Sequence, residues 1–92
     1  NYHVLALPGR TSLPSLSDEI LAGPCQLDQS RHGVVLQFPK AGFDIHAEKS
    51  DGRYLAHSYR YGHVFSDSAI ETVAFPTSAG LKRYLRNVEP AE

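Results

Sequence analysis

Ninety-two residues with 41% hydrophobic and 21% charged content make one small domain with one modest core. A net charge of −1 gives no compositional reason to expect nucleic acid, a membrane surface or an acidic substrate. One cysteine, Cys25, excludes an internal disulfide, and no apolar run is long enough for a membrane helix. The absence of a disulfide framework and of a signal-peptide pattern points to a cytoplasmic protein.

In chain order, residues 2–7 read as a first strand that is apolar on both faces. Pro8-Gly9 stops it, and residues 8–15 form a loop. Ser15 is placed to cap a short helix, with Asp18 three residues on to complete a capping-box-like pair. Leu16 and Ile20 stack one turn apart, and Gly23-Pro24 ends the helix. A polar connection over 24–33 leads to a strand over 34–38, with Val34, Leu36 and Phe38 on one face. Pro39 to Gly42 form a turn.

Residues 43–61 carry a hairpin signature around Asp51-Gly52. A three-residue loop with a G1 bulge places Phe43, Ile45 and Ala47 beside Leu55, His57, Tyr59 and Tyr61. Asp44, His46, Glu48, Tyr54, Ser58 and Arg60 then form the outer, polar face. A two-residue loop instead sets Ile45 and Phe43 beside Ser58 and Arg60, and His46 against His57. The three-residue register is preferred because it collects one continuous apolar surface.

Gly62 breaks the pattern, and residues 63–68 form a loop. Residues 69–75 read as a fifth strand. A competing reading starts a helix there, with Ser68 as cap. Thr77 caps the last helix, in which Leu81, Tyr84, Leu85 and Val88 follow helical spacing. Gly80 in its first turn suits a close approach to the sheet. Pro90 ends the element. The expected architecture is α+β over residues 1–92: a mainly antiparallel four- to five-stranded sheet with both helices packed on one face.

No motif for a phosphate loop, a serine-hydrolase elbow or a zinc site of paired cysteines is present. Cys25 with His32 matches no nucleophile motif. His46 and His57, flanked by Asp44 and Glu48, meet only in the less favoured register. The sequence therefore calls for no metal, no cofactor and no catalysis.

The expected role is a small regulatory or protein-interaction module, acting through a protein partner or a second copy of itself. The proposed contact residues are Arg53, Tyr54, Arg60, Lys82, Arg83 and Arg86, on the outer hairpin face and the basic side of the last helix. Their aromatic and cationic character also allows a nucleic-acid alternative. Residues 43–88 hold six Lys or Arg against five Asp or Glu, a surplus of one that counts against it.

Overall fold

The computed structural model describes residues 3–4, 16–25 and 27–88. Its elements are β1 (His3–Val4), α1 (Asp18–Ala22), β2 (Val34–Phe38), β3 (Phe43–Ser50), β4 (Arg53–Arg60), β5 (Glu71–Phe75) and α2 (Ser78–Val88). The sheet runs β1-β2-β3-β4-β5, every neighbouring pair antiparallel. This is the expected α+β layout. No helix among the described residues is long and apolar enough to cross a membrane.

Two features at the N-terminal end differ from expectation. Of the strand expected over 2–7, only His3 and Val4 lie within the described residues. The α1 cap is Ser17, whose Oγ accepts the Ile20 amide at 3.2 Å; Ser15, the expected cap, lies outside the described residues. Capping at Ser17 puts Asp18 and Glu19 in the first turn, where carboxylates complement the helix dipole. At the other end, Thr77 caps α2 as expected, its Oγ1 accepting the Gly80 amide at 3.2 Å. A Cβ on Gly80 would meet Phe75 Cδ1 at 3.3 Å, so the small residue lets α2 lie close on β5.

The hairpin register is the main correction. Ser50 pairs with Arg53, and the loop holds two residues, Asp51 and Gly52, with φ of 57° and 75°. Two positive φ values make a type I′ turn, whose twist matches that of the flanking strands. The three-residue loop fails because amphipathicity was the wrong test here. This sheet is covered on both faces, so neither face needs to be uniformly apolar.

On one face lie Val34, Leu36, Phe38, Ile45, Ala47, Ala56, Val73 and Phe75. Both helices pack there, with Leu21 of α1 and Leu81 and Leu85 of α2 fully buried. Ala47, Ala56 and Ser58 are small, so the sheet can accept those leucines without overpacking. α1 is tied down by polar contacts as well: Asp18 accepts Lys49 Nζ at 3.1 Å and the Tyr54 hydroxyl at 2.9 Å.

The opposite face carries the rows Val35–His46–His57–Thr72, Gln37–Asp44–Tyr59 and Glu48–Leu55–Ala74. It is covered by the segment after β4, where Phe65 meets His46 and Tyr59 edge-on at 5.0 and 6.1 Å between ring centres. The Arg31 guanidinium sits 4.5 Å above Phe65 as a cation–π contact. Asp44, fully buried, anchors this cover by accepting the Gly62 amide at 2.9 Å through Oδ2. The cover carries backbone strain at Phe65, a bulky residue with φ of 65°.

Candidate functional site

The type I′ register brings together the histidines that the other register would separate. His46 and His57 are direct cross-strand partners, their rings stacked with centres 5.2 Å apart. Glu48 lies two residues beyond His46 on the same strand and therefore on the same face. Each of the three offers a ligand-type atom within 4.8 Å of the other two.

Each ring has an outer partner. His46 Nε2 makes a short contact with the carbonyl oxygen of His32. A carbonyl only accepts, so Nε2 carries the proton and donates. That leaves Nδ1 as a lone pair, buried and without a partner among the described residues. Burial holds the His46 imidazole below its usual range, and the facing His57 and Arg31 act the same way. The His32 carbonyl and Glu48 oppose them. Burial thus favours the neutral ring.

His57 is held at both ends. Its Nε2 donates to Glu48 Oε2 at 2.6 Å, and its Nδ1 lies 2.9 Å from Thr72 Oγ1. Both His57 and Glu48 keep 19% side-chain exposure, so this end of the cluster opens toward solvent while His46 is buried. Hydroxyl, imidazole and carboxylate thus follow one another in the order a nucleophilic triad uses. Catalysis of that kind also needs an oxyanion stabiliser and a substrate cleft beside the hydroxyl. The apolar groove described below lies on the other face of the sheet and does not serve Thr72.

Asp44 was expected to flank the histidines, but its carboxylate is turned to the backbone of the cover. Burial raises its pKa above the usual carboxylate range, opposed by the amides of Gly62 and Val64 and by His63. Cys25 is fully buried as a free thiol, and His32 is exposed, which leaves no nucleophile–base pair between them.

The six residues expected to form a contact surface are spread out. Arg53 and Arg60 are exposed at opposite ends of the eight-residue β4, about 23 Å apart at strand rise. Arg60 pairs with Asp67 at 3.6 Å. Tyr54 shares the helix-covered face, half-buried, with its hydroxyl committed to Asp18. Lys82 is half-buried, and its charge acts on Asp18. Arg83 and Arg86 point outward from α2. The register places Tyr54 and Arg60 on the helix-covered face with Phe43 and Ile45, not on an outer face of the hairpin.

A different surface feature was missed by sequence reasoning. An open groove of about 210 Å³ lies on the helix-covered face, lined by Phe43, Ile45, Ser58, Ile70, Glu71, Tyr84 and Val88. β5 begins only at Glu71, opposite Ser58, so the sheet beyond that point has no fifth strand above it. Ile70 is 59% exposed at the rim, and Phe43 is 37% exposed. β5 is also an edge of the sheet, with β4 as its neighbour. Compared with known proteins, the chain matches no family model, no curated protein and no solved structure.

Proposed function

We propose that the protein is a small non-catalytic interaction module that takes an apolar segment of a protein partner into the groove beside α2. The observation that carries this reading is the groove, with Ile70 and Phe43 exposed at its rim. Large apolar side chains are costly to leave in water, and anchoring residues on interfaces tend to sit in such hollows. Pockets for drug-sized ligands run about 300–1,000 Å³. A groove of about 210 Å³ suits one or two side chains of a partner better than a whole small molecule. The adjacent edge of β5, unpaired among the described strands, offers backbone hydrogen bonds to an extended chain.

The nucleic-acid reading draws less support, because Arg53 and Arg60 stand at opposite ends of β4 and Arg60 is paired with Asp67. The same experiment separates the two. A random peptide library is panned against the folded protein, and amide chemical shifts are followed with selected peptides, duplex DNA, single-stranded DNA and RNA. The groove reading expects peptides with large apolar residues that shift Phe43, Ile70, Glu71 and Tyr84. Ile70→Lys should weaken them at least about tenfold, roughly 1.4 kcal/mol, while Arg53→Ala leaves them unchanged. Peptides indifferent to Ile70→Lys would sink it. Salt-sensitive shifts with nucleic acid centred on Arg83 and Arg86 would replace it with the alternative.

A further inference from the structure

We propose that His46, Glu48 and His57 form a binding site for a first-row divalent metal ion of the zinc class, on the face of the sheet opposite the groove. Three side chains from two neighbouring strands converge, each with a ligand-type atom within 4.8 Å of the others. Two imidazoles and one carboxylate are a donor set suited to Zn²⁺ or Fe²⁺. With three protein ligands, a fourth position stays open to water or an exogenous ligand.

The outer contacts are those that metal-ligating histidines normally carry. A ligating ring is oriented by a hydrogen bond at its other nitrogen, to a carbonyl, a carboxylate or water. His46 has such a bond from Nε2 to the His32 carbonyl. This bond fixes the tautomer and leaves Nδ1 with its lone pair exposed to no donor among the described residues. An orphaned buried polar atom is costly to keep, and a bound cation would satisfy it. His57 has Thr72 Oγ1 at its Nδ1 and turns Nε2 toward Glu48.

The 2.6 Å contact between His57 Nε2 and Glu48 Oε2 is a proton-bridged pair. A metal entering between them takes the place of that proton. The neutral His57 ring then exchanges, through solvent, from the Nε2–H to the Nδ1–H tautomer and donates from Nδ1 to Thr72 Oγ1, the hydroxyl changing from donor to acceptor. Ligand atoms on a tetrahedral ion sit roughly 3.4 Å apart, as follows from metal–ligand bonds of about 2.1 Å. The His57–Glu48 pair must therefore open and the widest pair close. Both of these side chains are partly exposed and have the freedom to do so.

The site is independent of the groove, so failure of one reading leaves the other standing. The test uses the protein purified without a histidine tag and stripped with chelator. ZnCl₂ is titrated by calorimetry, and CoCl₂ by visible absorption. The expected result is one ion per chain in the micromolar range or tighter, with d–d bands of a four- or five-coordinate site. His57→Ala and Glu48→Gln should each weaken binding at least about tenfold, with unchanged circular dichroism. Thr72→Val should weaken it about 10- to 100-fold, as loss of an outer partner does. His63→Ala should have no effect. No saturable binding by the unaltered protein overturns the proposal. So does full retention of binding in the His57→Ala/Glu48→Gln double variant, or its loss in His63→Ala alone, which would move the ion to the exposed His63–Asp67 pair.

Discussion

The two faces of the sheet are built on different principles. The helix-covered face is closed by shape: Leu81 and Leu85 join Ile45, Ala47 and Ala56 in one buried apolar cluster. The opposite face is closed by a loop and holds Asp44, His46, Glu48 and His57. Burying a polar group is tolerable only where it finds partners, and two atoms on this face, Asp44 Oδ1 and His46 Nδ1, have none among the described residues. The helix face has the character of a core. The other face carries buried polar groups that a core alone does not call for, held at a cost in stability.

The sharpest way to break this comparison is to remove a side chain from the helix face. Leu85→Ala should lower unfolding free energy by about 2–5 kcal/mol, measured by urea denaturation, because the buried methyl groups leave a cavity that the sheet cannot fill. A near-neutral result would mean that α2 is not held through its leucines, and the assignment of that face as the core would fall.

A smaller effect is expected across the sheet. Glu48→Gln keeps the shape of the side chain and removes the charge from its bond to His57. In the metal-free protein it should cost about 1 kcal/mol, since the pair is partly solvated and a neutral acceptor remains. Denaturation of the stripped protein measures it. A cost equal to that of Leu85→Ala would show that the polar face is structural, and the contrast between the two faces would disappear.

How much of this was legible in the sequence differs between the faces in the same way. Helix spacing located Leu81 and Leu85, and turn chemistry located the start of β3 and the hairpin turn around Asp51-Gly52, but not the length of its loop. The histidine cluster depended on one residue of register. Asp51-Gly52 favoured a two-residue loop as strongly as a three-residue one, and amphipathicity decided for the wrong alternative because the cover over His46 could not be foreseen. That cover rests on Phe65 in the left-handed region and on Asp44 reaching the Gly62 amide, neither of which follows from pattern. A usable signal was present in Ala47, Ala56 and Ser58: small residues at alternate positions suit a sheet surface under closely packed helices. The groove was illegible for another reason. Tyr84 and Val88 were identified as inward-facing, but the groove beside them exists because β5 begins at Glu71 rather than at the expected residue 69.

The smallest expected effect concerns the polar link that holds α1 to the helix face. Asp18 accepts from Lys49 and Tyr54, and these hydrogen bonds, first that from Lys49, hold its carboxyl below the ordinary 3.8. The same contacts raise Lys49 above 10.5 and Tyr54 above 10.0. A carboxyl with a lowered folded-state pKa contributes stability above its unfolded value, and that contribution fades as pH falls through the folded value. The raised Lys49 and Tyr54 contribute below their unfolded values and lose that contribution as pH rises through their folded ones. The link therefore operates from about pH 4 to about pH 10. Asp18→Asn should destabilise the protein slightly at neutral pH, and the difference from the unaltered chain should shrink as pH drops below about 4. High salt should also reduce it, because these groups are solvent-exposed. Paired urea curves at pH 7 and pH 3 measure this. A difference that persists undiminished at pH 3 would show that the effect does not come from the Asp18 charge; no difference at pH 7 would show that α1 is held by the apolar packing of Leu21, making the helix face a purely apolar construction.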